Sequence, residues 1–294
     1  MQASFNTVGV LGRSKQMDLS DVVHQLVDLL QARGVTVLLE DELAEVIDGM
    51  DLEIASCDEI GARADLAIVV GGDGSLLSAA RTLAQYHTPV IGVNRGRLGF
   101  LTDISPDELG ERIPAVLDGQ YEAEKRFLLD AEVRRANEVL AVADALNDVV
   151  VNSGTSAQMI EIELYINEVF VYRQRADGLI ISTPTGSTAY SLSGGGPIMY
   201  PTLDAMVLVP MFPHALSSRP IVVDGASEIR IDILERNRIH PPVTCDGHTT
   251  MKAEPGDSVH ISKKAGTLTL LHPVGHSFYA SCRDKLRWSY ALVD

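Results

Sequence analysis

Cysteine is scarce in this chain of 294 residues. The three cysteines, Cys57, Cys245 and Cys282, are an odd number and form no Cys-x-x-Cys motif. A disulfide framework is therefore not expected, and a reducing compartment such as the cytoplasm fits this composition best.

Positive charge is also in short supply, because 24 Lys and Arg residues stand against 40 Asp and Glu residues and the formal net charge is −16. A nucleic-acid-binding protein needs a basic face that replaces the counterions of phosphate, so nucleic acid is not an expected partner. A nucleotide site in such an acidic chain needs local help from backbone N–H groups, an arginine or a metal ion.

Long apolar runs are absent as well. The longest, residues 205–216, is interrupted by Pro210 and Pro213 and is too short to cross a bilayer. Residues 1–13 contain no basic region followed by an apolar run, so neither a secretory signal nor a membrane partner is expected. The hydrophobic fraction of 46% and the charged fraction of 22% predict a folded globular protein of about two domains.

Strand and helix signals alternate in the first third of the chain. Short apolar runs at 8–11, 35–39, 66–70 and 90–93 predict buried strands. One helix is predicted at residues 19–30, where apolar residues follow helical spacing and Gly34 ends the pattern. Another is predicted after the capping box Ser105-Pro106-Asp107-Glu108. This alternation predicts an α/β nucleotide-binding domain with a Rossmann-like parallel sheet, at residues 1–121.

Short strands replace this pattern after residue 122. Residues 160–166 alternate apolar and polar side chains with period two, and Asn167-Glu168 predicts a hairpin turn into the next strand. Further strands are predicted at 179–182, 229–234, 243–245, 258–262 and 267–271. The prediction is an all-β, sandwich-like domain at residues 122–274.

The segment Gly71-Gly72-Asp73-Gly74-Ser75 lies between a predicted strand and a predicted helix. Glycines there let the backbone approach a phosphate, and the helix N-terminus favours an anion, although the Walker lysine is absent. Asp73 would repel phosphate unless it has a task, either accepting a proton from an attacking hydroxyl or holding a divalent metal. The structural alternative is a tight turn in which Asp73 caps the next helix.

Two later segments carry groups that suit a nucleotide. Asn147-Asp148 sets an amide beside a carboxylate, a pair that fits an adenine edge and a ribose diol but that also makes ordinary turns. Residues 177–197 run from a buried strand into a loop dense in hydroxyls and glycines, which suits ribose, pyrophosphate and base edges. Arg175, just upstream, supplies the local positive charge that the chain otherwise lacks.

In this order and spacing, the Gly-Gly-Asp-Gly turn, the Asn147-Asp148 pair and residues 177–197 resemble the NAD kinases, above all the bacterial ones, over almost the whole chain. The resemblance implies an α/β domain, an all-β NAD-binding domain and a C-terminal tail, residues 275–294, that returns to the first domain. It also implies phosphorylation of the 2′-hydroxyl of the adenosine ribose of NAD, with ATP as donor, Mg²⁺ as the assisting ion and NADP as product. A homodimer or homotetramer in the cytoplasm is implied too.

The same resemblance assigns the site, with Asp73 as the catalytic base. The implied NAD-binding residues are Asp73, Gly74, Asn147, Asp148, Arg175, Asp177, Thr185, Thr188, Ala189, Tyr190, Ser191, Leu192, Ser193 and Gly247. The chain departs from the family pattern at Ser75, where threonine is common, and at Asp148, where glutamate is frequent. Many members carry a polar residue such as glutamine at Gly247, which leaves His248 as the alternative contact here.

Two other functions fit part of the sequence. A lipid kinase would share the Gly-Gly-Asp-Gly turn and would need an apolar groove, but it leaves residues 177–197 unexplained. A silent dinucleotide sensor would bind NAD or NADP without turnover, and only the retained Asp73 argues against it. His272 and His276 flank Pro273 and Gly275 and share no helical face, so a zinc site is not predicted there.

Overall fold

The computed structural model describes residues 5–13, 19–45, 51–95, 99–136, 138–156 and 158–288. They form two compact units, the first within residues 1–125 and 266–294 and the second within residues 126–265. Within the described ranges, no helix has the length and apolar character that crossing a membrane requires. The three cysteines are free thiols.

The first unit is built on a parallel sheet. Its strands are β1 (Thr7–Leu11), β2 (Thr36–Glu40), β3 (Glu53–Ala55), β4 (Leu66–Val70) and β5 (Val90–Val93). They lie in the order β3-β2-β1-β4-β5, and the last part of β17 (Ser258–Pro273) runs parallel to β5, with Leu270 opposite Val90. The direction of strand addition reverses between β1 and β4, the place where open α/β sheets bind ligands.

Helices accompany this sheet and bury apolar faces. They are α1 (Ser20–Ala32), α2 (Asp41–Ala44), α3 (Cys57–Arg63), α4 (Asp73–Tyr86), α5 (Leu109–Leu117) and α7 (Phe278–Leu286). In α1 the side chains of Val23, Leu26, Val27 and Leu30 are buried, which is the spacing of one helical face. Beyond its end, Gly34 has a φ of +72°, as expected for a residue that ends a helix.

The second unit is a sandwich of two antiparallel sheets. One has the order β13-β12-β11-β8-β15-β16, and the other has the order β10-β9-β14-β17 with β6 and β7 attached. Side chains of both sheets, such as Val149, Leu179, Ile162 and Ile231, form one core. The strands are β6 (Tyr121–Arg135), β7 (Glu138–Ala145), β8 (Asp148–Asn152), β9 (Ile160–Ile166), β10 (Val169–Ala176), β11 (Gly178–Ser182), β12 (Ala205–Met211), β13 (Ile221–Asp224), β14 (Ile229–Ile233), β15 (Pro242–Cys245) and β16 (Thr249–Lys252). One short helix, α6 (Tyr190–Ser193), follows β11.

The predicted fold class, an α/β part followed by an all-β part, is confirmed. The two strands predicted at 258–262 and 267–271 are one strand, β17. Lys263 and Lys264 lie in the middle of this strand, and their ammonium groups lie 2.7 Å from Asp204 and 3.4 Å from Asp130 respectively.

Candidate active site

Helix α4 begins directly after the glycine turn that follows strand β4. Gly72 is its N-cap residue and Asp73 its first residue. Apart from chain neighbours and the helix's own backbone, no atom of the described residues lies within 4 Å of the position that a Cβ would take on Gly72 or Gly74. The first N–H groups of a helix have no acceptor inside it, and an anion can therefore bind at this turn.

The Asp73 carboxylate binds a neighbouring loop. Its Oδ2 accepts a hydrogen bond from the N–H of Phe100 at 2.9 Å, and its Oδ1 accepts bonds from the N–H of Leu101 at 3.1 Å and the hydroxyl of Thr102 at 3.3 Å. The alternative in which Asp73 caps helix α4 is wrong, because Gly72 is the N-cap residue and the Asp73 carboxylate accepts its hydrogen bonds from the loop instead. A carboxylate has about four acceptor positions, so one remains for a further donor or an ion.

Sequence reasoning missed this loop. Its donors to Asp73 are mainly main-chain N–H groups, which any residue type supplies, so Phe100 and Leu101 carry no side-chain signal. Gly99 is the residue whose type reflects this contact, since a Cβ there would lie 1.8 Å from Oδ1 of Asp73. Only glycine permits this close approach.

In the second unit, Asn147 and Asp148 lie at the start of strand β8. Asp148 is opposite Ser182 of β11, and the main-chain oxygen of Asn147 accepts a bond from the N–H of Thr183 at 2.9 Å. The side-chain Oδ1 of Asn147 is buried and has no hydrogen-bond partner in the described part of the chain. Buried polar atoms nearly always have a partner, so this oxygen is a candidate ligand contact.

A second carboxylate, Asp246, fixes the backbone of this pair. It accepts bonds from the N–H groups of Leu146, Asn147 and Asp148 at 3.0, 2.7 and 3.2 Å. Asp148 itself is only 4% exposed. Burial first, and the charge of Asp246 second, raise the pKa of Asp148 to about 7. The sequence predicted a turn at Asp246 but gave no sign of this support.

Gly247 lies in a tight hairpin turn between β15 and β16. Asp246 and Gly247 have φ values of +51° and +68°, and the N–H of His248 donates to the main-chain oxygen of Cys245 at 3.1 Å. These angles define a type I′ turn, which favours glycine. In the part of the chain that the structure describes, no atom other than those of chain neighbours lies within 4 Å of a Cβ built on Gly247, which leaves room there for a polar side chain. His248 is exposed.

Several hydroxyls of the loop after β11 hold the loop itself. The hydroxyl of Thr183 donates to the main-chain oxygen of Leu146 at 2.6 Å, and that of Ser187 donates to the oxygen of Pro184 at 2.7 Å. The Oγ of Ser191 is buried and has no partner among the described residues. Some of the hydroxyl groups that the sequence assigns to ligand binding therefore stabilise the loop instead.

The remaining loop residues differ in exposure. Thr185 is buried, Thr188, Ala189 and Leu192 are half-buried, and Tyr190 and Ser193 are exposed. Tyr190 and Ser193 line a groove of about 530 Å³ together with Ile180, Met211 and Phe212. This groove was not predicted from the sequence, because its walls come from strand β12 and the segment that follows it.

Arg175 and Asp177 lie near the opposite end of β11 from Asp148. The five residues of β11 separate Asp177 from Thr183, so the two are about 20 Å apart at strand spacing. The side chain of Arg175 is exposed, and its main-chain oxygen accepts a bond from the N–H of His214 at 2.9 Å, beside the groove. The predicted NAD-binding residues of this unit thus fall into two groups. Asn147, Asp148, Thr185 and Gly247 lie at one end of β11, and Arg175, Asp177, Tyr190 and Ser193 lie towards the other.

Comparisons with known proteins cover nearly the whole chain. Residues 8–121 match the family model "ATP-NAD kinase N-terminal domain", and residues 146–272 match "ATP-NAD kinase C-terminal domain". An NAD kinase of Pseudomonas putida (strain W619) is 54% identical over 288 residues, which are 98% of this chain and 97% of the relative. An NAD kinase of Chromohalobacter salexigens is 55% identical over 288 residues, which are 98% of each chain.

Two solved structures are similar over most of their length. A crystal structure of an NAD kinase from Archaeoglobus fulgidus in complex with ATP has a TM-score of 0.74 and 25% identity, covering 96% of this chain and 98% of that one. A crystal structure of yeast NADH kinase complexed with NADH has a TM-score of 0.89 and 23% identity, covering 99% of this chain and 90% of that one. At that identity the second likeness concerns the fold alone.

Proposed function

The chain belongs to the ATP-NAD kinase family, and from this premise we infer that it is an NAD kinase. It transfers a phosphoryl group from ATP to the 2′-hydroxyl of the adenosine ribose of NAD and so produces NADP. The observation that carries this conclusion is the match of both kinase domains within one chain. The carboxylate held beside an open glycine turn is consistent with it.

We propose that Asp73 is the general base. Its carboxylate is fixed by three donors and keeps one acceptor position, which suits a substrate hydroxyl. The hydroxyl oxygen forms a bond to the γ-phosphorus, its proton passes to Asp73, and the bond from the γ-phosphorus to the bridging oxygen of ADP breaks. We propose that Gly74, which has no side chain, contacts the ribose of NAD together with Asp73.

We propose Mg²⁺ as the assisting ion. Magnesium in kinase sites is held by phosphate oxygens, waters and one or two carboxylates. Asp73 is the carboxylate of this turn, but its single remaining acceptor position serves a hydroxyl or an ion, not both. The donor set therefore fits an ion held mainly by ATP, and when bound the ion neutralises phosphate charge.

We propose that NAD is bound by the second unit through the fourteen residues named above, apart from Asp73 and Gly74. The unpartnered Oδ1 of Asn147 and the buried carboxyl of Asp148 support the first group. The groove beside Tyr190 and Ser193 supports the second. We propose that residues 1–121 form the catalytic part and residues 122–274 the NAD-binding part.

We propose a homodimer or homotetramer in the cytoplasm, with no nucleic acid or membrane as partner. Strand β7 exposes the apolar side chains of Val139, Leu140 and Val142, a surface that a second copy could cover. Free thiols suit a reducing compartment, and the net charge of −16 opposes nucleic acid.

The test is an assay with purified protein, ATP, Mg²⁺ and NAD, followed by an NADP-specific dehydrogenase. NADP is expected to form, and diacylglycerol and sphingosine are expected to remain unphosphorylated under the same conditions. Lipid phosphorylation without NADP would support a lipid kinase instead. NAD binding without turnover would support the silent sensor.

A further inference from the structure

The loop that holds Asp73 is itself held at its last residue. Thr102 receives a bond from the amide of Asn94 at 2.9 Å, and the N–H of Gly99 donates to the main-chain oxygen of Thr102 at 3.1 Å. Asp103 follows at once, and its side chain is only 9% exposed. Contacts that hold the Asp103 side chain in place therefore also hold the N–H groups that orient the Asp73 carboxylate.

Two histidines of the C-terminal segment meet Asp103. Nδ1 of His272 is hydrogen-bonded to Oδ2 of Asp103, and Nδ1 of His276 lies 3.2 Å from the same oxygen. The two imidazole rings stack with centroids 4.1 Å apart and planes 16° from parallel. On its other side, Nε2 of His272 lies 3.7 Å from Glu124. All four residues belong to the first unit.

His272 is fully buried, yet its surroundings favour the charged ring. Burial alone lowers the pKa of His272, but hydrogen bonds and charges of Asp103 and Glu124 together raise it to about 8. Nδ1 of His272 thus holds Asp103 by a hydrogen bond, whereas Nε2 faces Glu124 at 3.7 Å without forming one in the described part of the chain. Phe278, at the start of α7, adds a ring contact to Phe100 of the same loop, with centroids 6.5 Å apart.

A shared metal ion fits these groups less well than hydrogen bonds do. The ligand atoms of Asp103, His272 and His276 lie within 4.8 Å of one another. However, an imidazole binds a metal along its ring plane, and two nearly parallel planes about 4 Å apart do not point at one ion. The stacked rings instead present two donors to one carboxylate.

We propose that His272 is a positioning residue for Asp73 and acts through Asp103 and the loop 99–102. The inference rests on the proposed role of Asp73 as base. Without its donors, the buried Asp103 carboxylate would turn towards water and shift the loop that carries the N–H groups of Phe100 and Leu101. A misplacement of about 1 Å at a reacting group lowers the rate by about 10²-fold.

The first test compares His272→Leu with His272→Asn. The leucine removes the bond from His272 to Asp103, whereas the asparagine amide takes the place of Nδ1 and keeps that bond. We expect kcat to fall about 10- to 100-fold in His272→Leu, with KM for ATP and NAD within about threefold, and to recover to within about threefold of wild type in His272→Asn. If His272→Leu does not fold, His276→Leu removes the less buried donor and should lower kcat by about 3- to 10-fold.

The matched control is Val23→Ala, which weakens the core of the same unit under helix α1 and removes no hydrogen bond of the loop or of the histidines. It should lower the melting temperature and leave kcat per folded molecule unchanged. Equal losses of kcat per folded molecule in Val23→Ala and the histidine variants would overturn the proposal.

The second test is a double-mutant cycle with Asp73→Asn. If His272 acts through Asp73, His272→Leu causes no further loss of the single-turnover rate in the Asp73→Asn background. An undiminished loss in that background would refute the positioning role. Failure of the wild-type enzyme to form NADP would instead refute the proposed function, so the two failures are distinguishable.

Discussion

Replacing Asp148 by asparagine tests the energetic consequence of burying a carboxyl beside Asp246. Burial and the charge of Asp246 raise the pKa of Asp148 from 3.8 to about 7. The folded state then binds the proton more tightly than the unfolded chain, so the free energy of unfolding falls as pH rises from about 4 to about 7. At 1.36 kcal/mol per pKa unit the fall is about 4 kcal/mol in total.

The Asp148→Asn variant has no proton to lose at this position. Its stability relative to wild type should therefore increase by about 3 kcal/mol between pH 5 and pH 8, and change little above pH 8. For a protein of this size the corresponding shift in relative melting temperature is about 6–12 °C. Calorimetry and urea unfolding without nucleotides measure it. Asp28→Asn, on the exposed face of α1, makes the same chemical change in water and should show no such trend.

NAD binding should show the opposite pH trend. A ribose hydroxyl that donates to Asp148 favours the ionised carboxylate, so the wild-type affinity for NAD should rise between pH 6 and pH 8. The affinity of Asp148→Asn should be lower and nearly independent of pH in titration calorimetry. A stability difference that stays constant with pH, or one that Asp28→Asn reproduces, would refute the reasoning.

Three further predictions concern other residues of the chain. Asp73→Asn should slow single-turnover phosphoryl transfer by about 10²–10⁴-fold with a nearly unchanged Kd for NAD, and a stable variant with the wild-type rate would show that Asp73 is not the base. Asn147→Ala removes a buried oxygen that lacks a partner, so the melting temperature should stay close to wild type while KM for NAD rises about tenfold; a large loss of stability with unchanged KM would contradict the assigned contact. Because the pKa of His272 is raised to about 8, its stabilising effect is fully present below about pH 6.5 and is lost as pH rises through 8. Wild type should thus lose about 2 kcal/mol relative to His272→Asn over that window, and parallel unfolding curves would contradict this.

Most of the fold could be predicted because period and turn chemistry are local properties. The alternation of residues 160–166 places Ile160, Ile162 and Leu164 in the core, and the positive φ of both Asn167 and Glu168 makes the predicted hairpin. Strand β3 was not predicted, since Glu53 and Ile54 are exposed at the edge of the sheet and leave no apolar run. A strand or helix that buries no regular face has no periodic pattern of apolar residues in its sequence.

The site was predictable only as far as side-chain types reveal function. Asp73 stands out because a carboxylate in a glycine turn needs an explanation. Its fixation by Phe100 and Leu101 uses main-chain groups, which are the same in every residue type. The stacking of His272 on His276 escaped helical spacing arguments because His272 lies in strand β17 and His276 follows the turn at its end.

The first unit is interrupted in the chain by the second, and this has a consequence for synthesis. Strand β5 ends at Val93, but its neighbour in β17, at Leu270, follows the 140 residues of 126–265. At 5–20 residues per second, a ribosome needs about 7–28 s to translate that insertion. For this time the start of β5, at Val90, lacks its neighbour from β17, although the end of β5 already pairs with Ile104. An unpaired strand edge is a template for pairing with other chains. The edge of β5 at Val90 therefore stays open to other chains until the end of β17, residues 266–273, has been translated.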